Sequence, residues 1–124
     1  MLVGAVLYAK DLSTLVAFYV ALGGEVVDGE EGAFSTLRTD KTDLIVLQAP
    51  KHVADAIQIE TPPKLRSATP IKPIFKVACI DSVLEMLPQI GGMVLPGAAQ
   101  WAFKEHTVQD IVDPEGNVIQ LWHS

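Results

Sequence analysis

The chain has 124 residues, of which 49% are hydrophobic and 19% charged, with a formal net charge of -6. That is enough for one domain with a real core, and too apolar for a disordered segment. The acidic balance argues against nucleic acid as a partner, because phosphate binding needs a basic face.

Residues 2 to 9 are apolar, with Tyr8 near the end, and predict a buried strand. The run stops at Lys10, lacks a basic flank and is too short for a signal peptide or a membrane span. Asp11 then opens a helix over about 11 to 22, with Leu12, Leu15, Val16, Tyr19 and Leu22 on one face. Gly23-Gly24 ends it, because glycine tolerates the left-handed C-terminal position. Strands are expected at about 24 to 28, 33 to 39 and 43 to 49, with turns at Asp28-Gly29 and Asp40-Lys41.

The stretch from Pro50 to Pro73 holds five of the eight prolines (Pro50, Pro62, Pro63, Pro70 and Pro73). It reads as a connector with one short helical turn at "HVADAIQ". The pattern then restarts. A strand at 74 to 79 leads to a helix opened by Asp81 and ended by Gly91-Gly92. Strands at about 92 to 95, 106 to 112 and 117 to 122 follow. Asp11 and Asp81 lie 70 residues apart, and the two Gly-Gly pairs lie 68 apart. "TDLIVLQ" near 42 to 48 matches "GNVIQLW" near 116 to 122. The chain is therefore expected to be a tandem of two β-α-β-β-β units, an α+β fold. Its expected organisation is a single domain over 1–124, with repeat one at about 1–49, the connector at about 50–73 and repeat two at about 74–124.

With a strand followed by "KDLSTLVAFYVALGG" and a closing "DPEGNVIQL", the sequence resembles the vicinal oxygen chelate superfamily. That group includes glyoxalase I, bleomycin-resistance proteins, fosfomycin-resistance enzymes and extradiol dioxygenases. The resemblance spans essentially the whole chain. It implies that the two units form a curved mixed sheet around a cleft. It also implies four cleft-face positions that hold His, Glu or Gln in metal-using members. They lie on the first and fourth strands of each unit. Counting seven residues back from Asp11 and Asp81 lands on Gly4 and Ile74, and the fourth strands give Val46 and Gln120. Only Gln120 can coordinate, and a divalent ion needs several oxygen or nitrogen ligands. No metal and no cofactor is expected.

Strand alternation then sorts the cleft face. Val6 and Tyr8 accompany Gly4, and Lys76 and Ala78 accompany Ile74. Val118 and Trp122 accompany Gln120, and Leu44 and Gln48 accompany Val46. On the third strands Phe34, Thr36 and Arg38 face inward, as do His106, Val108 and Asp110. The candidate ligand-binding residues are Tyr8, Phe34, Arg38, Gln48, Lys76, His106, Gln120 and Trp122. An apolar concavity with a few placed polar groups suits a small molecule.

Each candidate also has a structural reading. Gln120 either contacts ligand or satisfies a neighbour inside the fold. Lys76 can snorkel to the rim, and Arg38 can pair with Asp40 or Asp43. His106 and Asp110 share a face but lie about 13 Å apart along the strand, too far for a direct dyad. Trp101 and Phe103 fall in a loop before the strand, as a lid, as core anchors or at an interface. Cys79, the sole cysteine, has no His at motif spacing and reads as a packing residue. His52 is expected to be solvated and His123 frayed.

The function expected is a small-molecule-binding, glyoxalase/bleomycin-resistance-like protein whose metal site is lost. The acidic balance would draw a cationic drug. The alternative is a glyoxalase-type lyase (lactoylglutathione lyase-like) or a related enzyme acting on a small metabolite, with a non-standard metal set or none. A shifted set would draw on His106, Asp110 and Gln120, whereas a metal-free catalyst would use His106 as general base. Catalytic residues are otherwise unknown.

A single cysteine and no leader fit the cytoplasm, and no membrane partner is expected. A mean hydropathy of +0.31 and short exposed sheet edges suggest a homodimer. Light scattering at high concentration is accordingly expected to give twice the 13.4 kDa chain mass. A mass of one chain at every concentration would remove the dimer.

Overall fold

A computed structural model describes residues 2–66 and 71–124. The chain divides into two compact units, Met1–Gln58 and Ile59–Ser124. Both are α+β, each with an open sheet of mixed strand direction. Among the described residues no helix is long and apolar enough to cross a membrane.

The first unit runs β1 (Gly4–Ala9), α1 (Leu12–Ala21), β2 (Glu25–Glu30), β3 (Phe34–Thr39) and β4 (Thr42–Gln48), then a short helix α2 (Lys51–Ala54). Its sheet order is β1-β4-β3-β2, with β1 parallel to β4 and the other pairs antiparallel. Asp11 caps α1 as its sequence position predicts. Its carboxylate accepts from the Thr14 N–H at 3.2 Å and the Thr14 hydroxyl at 2.9 Å. Those bonds, the backbone one first, hold the Asp11 carboxyl below its ordinary value of 3.8. Gly23, at φ 112, lets the chain leave the helix, and the Gly24 N–H closes onto the Tyr19 carbonyl at 3.0 Å. Leu15, Phe18 and Tyr19 of α1 are buried, as are Leu37, Leu44 and Val46 of the sheet.

The second unit runs β5 (Ile74–Lys76), α3 (Ile80–Met86), a 3-10 turn (Leu87–Ile90), β6 (Met93–Val94), β7 (Trp101–Phe103), β8 (His106–Val112) and β9 (Val118–His123). Its sheet order is β5-β9-β8-β6, with β7 also paired to β8. β5 lies parallel to β9 and the rest is antiparallel. Ile80, Val83 and Leu87 are buried with Phe75, Ile111, Ile119 and Leu121.

Several expectations change here. The second helix is opened by Cys79, not Asp81, which sits in the first turn. It also tightens to a 3-10 turn at Leu87, because Pro88 has no N–H to continue an α-helical ladder. The strand expected at 74 to 79 stops at Lys76. Trp101 and Phe103 lie on a strand rather than in a loop. β6 and β7 together occupy the edge beside β8, separated by the segment from Leu95 to Gln100. The short helix in the connector covers Lys51–Ala54. Pro70, one of the connector prolines, lies outside the described residues.

A buried polar arrangement closes the turn from Asp113 to Asn117. Asp113 is fully buried, and its Oδ1 accepts from the Glu115 and Asn117 N–H groups, each at 2.9 Å. Asn117 Nδ2 donates to its Oδ2 at 2.8 Å. A buried carboxylate satisfied this way holds its own turn closed. The connector is stitched to the same turn. The Arg66 N–H donates to the Gly116 carbonyl at 3.0 Å, and the Arg66 guanidinium reaches the Glu115 carboxylate at 3.3 Å. Glu115 is 1% exposed, so this pair works with little water around it. Gly116 has φ +87, and a Cβ there would fall on the Lys64 carbonyl oxygen.

The packing of Lys64 and Arg66 on this turn makes one substitution informative. Gly97 also has a positive φ, +78, but has open space around it. Gly97→Ala is expected to cost about 1 kcal/mol, the ordinary penalty for a side chain in the left-handed region. Gly116→Ala adds the displacement of the connector and is expected to cost clearly more in urea unfolding. Equal losses would show that the connector does not close on this turn.

Candidate functional site

The open face of the second sheet carries the densest set of chemically useful side chains. Strand pairing places them. Ile74 lies opposite Gln120 and Lys76 opposite Trp122 on β5 and β9. Asp110 lies opposite Gln120, and Val108 opposite Trp122, on β8 and β9. Trp101 pairs with Val108 and Phe103 with His106. All of these share one face, because side chains alternate along each strand and cross-strand partners point the same way. Ile119 and Leu121 point to the opposite face and are fully buried.

A hydrogen-bonded chain runs across this face. Lys72 Nζ donates to Asp110 Oδ2 at 2.7 Å. Gln120 Nε2 donates to Asp110 Oδ1 at 3.0 Å. Trp122 Nε1 donates to Gln120 Oε1 at 2.6 Å. The orientation of the amide follows: its nitrogen faces a carboxylate and its oxygen faces an indole N–H, and the reverse would oppose like groups.

The indole is fixed on its flanks as well. The His106 ring lies 4.5 Å from it at 34°, and the Phe103 ring lies 5.8 Å away at 51°. Trp101 continues the cluster, 5.9 Å from Phe103 and edge-on. These are ordinary offset and edge geometries for aromatic pairs. His106 Nδ1 is buried and has no hydrogen-bond partner among the described residues.

The first sheet has a different open face. Gly4, Val6 and Tyr8 of β1 share it with Asp43, Ile45 and Leu47 of β4 and with Phe34, Thr36 and Arg38 of β3. Val6 is 54% and Tyr8 47% exposed. Arg38 meets Asp43, not Asp40, through Nε at 2.8 Å and Nη2 at 3.1 Å. This two-pronged contact pulls the Asp43 carboxyl down and the Arg38 guanidinium up, the direct hydrogen bond being the larger cause in both.

Of the sequence-predicted residues, the structure therefore brings Lys76, His106, Gln120 and Trp122 together on one face of the second unit. Tyr8, Phe34 and Arg38 share the open face of the first. Gln48 does not join them. It lies on the side of β4 that carries Leu44 and Val46, and its Nε2 donates to the Lys10 carbonyl at 2.8 Å. Leu44 and Val46, expected to face a cleft, are core residues at 7% and 0% exposure. The cause is a parity error of one residue, which sends a whole strand to the wrong side.

The four first- and fourth-strand positions change accordingly. The helix caps Asp11 and Cys79 are 68 residues apart, the same interval as the glycine pairs. That interval makes Val6, not Gly4, the counterpart of Ile74. Val6 pairs with Ile45 as Ile74 pairs with Gln120. The corresponding positions are Val6 and Ile45 in the first unit, and Ile74 and Gln120 in the second. Gly4 has a backbone reason instead, since a Cβ there would strike the Asp43 carbonyl oxygen.

Three details escaped sequence reasoning. Trp101 and Phe103 stand on a strand face. The signal was present as the alternation Trp-Ala-Phe before the turn at Lys104-Glu105, where Lys104 takes φ 54. Lys72 was not singled out at all, and only the fold brings it to Asp110. Cys79, expected to pack in the core, is exposed, and the Ser82 hydroxyl and then the Ser82 N–H hold its thiol below the ordinary value. His123 lies on β9, with Nδ1 3.2 Å from the Val77 carbonyl.

No protein-family model matches this sequence, and no curated protein matches it. Solved structures do. A glyoxalase/bleomycin resistance protein from Albidiferax ferrireducens aligns with TM-score 0.69 and 16% identity, covering 100% of this chain and 98% of its own. A glyoxalase-related enzyme from Fulvimarina pelagi gives 0.71 and 15%, covering 100% and 88%. The fosfomycin resistance protein FosX from Listeria monocytogenes, as a mutant complexed with Mn(II) and a dihydroxypropylphosphonic acid, gives 0.71 and 14%, covering 98% and 88%. The fold is thus the glyoxalase/bleomycin-resistance, or vicinal oxygen chelate, fold. At these identities the likeness defines the fold alone.

The Lys72–Asp110–Gln120–Trp122 chain has a measurable consequence. Gln120→Leu removes the acceptor for the indole N–H and one donor to Asp110. It is expected to cost about 1–3 kcal/mol of stability and to weaken the near-ultraviolet dichroism of Trp122, read in a Trp101→Phe background. No change in either would show that the amide does not hold the ring.

Proposed function

We propose that the chain is a small-molecule-binding protein on the glyoxalase/bleomycin-resistance fold whose metal positions no longer bind metal. One observation carries this reading. Of the four paired positions, Val6, Ile45 and Ile74 are hydrocarbon, and the fourth, Gln120, already spends its amide on Asp110 and Trp122. A neutral amide with a single free lone pair on its oxygen does not hold a divalent ion, which takes at least three protein ligands as a rule. The Mn(II) in the FosX complex therefore has no donor set to receive it here. A shifted set fares no better. Both Asp110 oxygens are engaged, and among the described residues no three His, Cys, Asp or Glu side chains come together.

In place of a metal the second unit offers a cluster of mutually tilted aromatic rings edged by polar groups. Trp101 and Phe103 are 48% and 39% exposed on it. Aromatic walls with a few fixed hydrogen-bonding groups suit a planar organic ligand. The proposal includes a homodimer in the cytoplasm.

A second reading, a metal-free lyase, draws on His106. His106 Nδ1 is buried with no hydrogen-bond partner among the described residues, and it would take a proton from a ligand whose binding uncovers it. Turnover of a bound compound, lost in His106→Gln, would carry that reading over the first.

Protein purified without chelator is expected to hold no stoichiometric transition metal by elemental analysis, and its melting temperature is expected to ignore added chelator. One metal ion per chain, or a structure soaked in Zn²⁺, Ni²⁺ or Mn²⁺ with an ion on Gln120, would overturn the proposal.

A further inference from the structure

We infer that the open face of the second unit takes a planar aromatic monocarboxylate, its ring on the Trp101–Phe103–Trp122 surface and its carboxylate on Lys76. This rests on the small-molecule reading above and adds the chemical class of the ligand.

The ring half of the argument is surface. Trp101, Phe103 and Trp122 stand on one face of three adjacent strands, through the pairs Trp101–Val108 and Val108–Trp122. The indole of Trp122 cannot swing away, because Gln120 holds its N–H at 2.6 Å and His106 lies against its ring. Trp101 and Phe103 leave about half and two fifths of their area to solvent, at 48% and 39%. A fixed ring beside two exposed rings offers a flat ligand edge and face contacts without a further cost of ordering.

The charge half is a census of the same face. Three lysines and one aspartate belong to it or to its rim. Lys72 is neutralised by Asp110 at 2.7 Å. Lys104 lies over the Phe103 ring at 5.6 Å from its centroid. Lys76 is the strand partner of Trp122, and it makes no hydrogen bond or ion pair with the described residues. Parallel neighbours stand about 4.8 Å apart, so an ammonium on that stem reaches a substituent carried by a ring lying on Trp122. Glu105, in the turn beside Lys104, is exposed and makes no ion pair with the described residues.

Lys104 also lacks a carboxylate partner among the described residues, but its ammonium sits over the Phe103 ring, so the ammonium beside Trp122 that fits one carboxylate is that of Lys76. The chain's net charge of -6 repels anions from a distance. That repulsion is screened beyond about 8 Å at physiological salt, so contact chemistry decides the affinity. The remaining N–H of Gln120 stands on the same face.

The test is calorimetric titration of the full chain with three ligands of one ring: naphthoate, naphthylmethanol and naphthylmethylammonium. Naphthoate is expected to bind about fivefold more tightly than the alcohol, the upper range for a solvent-exposed ion pair. The ammonium is expected to bind weakest. Lys76→Met, which keeps the stem and removes the charge, is expected to erase the naphthoate advantage and leave the alcohol unchanged. Lys104→Met is expected to keep that advantage. If the alcohol or the ammonium binds as tightly as naphthoate, or if the advantage survives Lys76→Met, the carboxylate assignment falls while the small-molecule reading stands. If none of the three binds at millimolar concentration, both fall.

Discussion

The buried carboxylate of Asp113 sets the geometry on which the second unit depends. It collects two backbone N–H groups and one amide, and so closes the turn from Asp113 to Asn117 in one conformation. The closed turn fixes Val112 opposite Val118. From that pair onward, every side chain of β9 has its face assigned. A slip of one residue would put Gln120 and Trp122 into the core and send Ile119 and Leu121 to solvent, which burial forbids. The connector reinforces the same point, since Arg66 and Lys64 pack where only a glycine leaves room.

With parity settled, the open face can hold a polar chain that no isolated strand would support. Asp110 and Gln120 are cross-strand partners, and Gln120 and Trp122 are two apart on one strand. Their hydrogen bonds are short because the sheet spacing brings them to reach. Lys72 completes the balance by placing a cation against Asp110, whose side chain is 13% exposed. Unmatched, that carboxylate would be costly there. The Arg38–Asp43 pair of the first unit is a different case. It has better geometry, but both partners stand more in water, so it contributes less to stability.

The two units share a plan and differ in what fills it. Each has a helix opened at a capping residue and closed by glycine, and each pairs its first strand in parallel with its last. The first keeps one continuous edge strand, β2. The second breaks that edge into β6 and β7, and the break turns Trp101 and Phe103 onto the sheet face. The first unit's open face carries Val6, Ile45 and Leu47 beside the Arg38–Asp43 pair, while the second's carries the aromatic cluster and the Lys72–Asp110–Gln120–Trp122 chain.

The sequence by itself determined the tandem of two units, the Asp11 cap and the glycine turns, but not the cap of the second helix or the strand at Trp101–Phe103. The former depend on local preferences: an aspartate that satisfies helix N–H groups, glycines that accept positive φ, and apolar residues spaced by 3.6 or by 2. It also turned Lys76, His106, Gln120 and Trp122 inward by strand alternation, together with Tyr8, Phe34, Arg38 and Gln48, of which Gln48 stands on the other side of its strand. The helix boundary at Cys79 and the face of β4 were decided by tertiary structure. Both turn on a shift of one or two residues, too small for periodicity to resolve in a short apolar run such as "LIVLQ", where either parity looks acceptable. The partners of Gln120, Lys72 and Glu115 were decided there too. Asp110 meets both Gln120 and Lys72, and Arg66 meets Glu115, across 10 to 49 residues of chain, and only the folded chain measures that distance in ångströms.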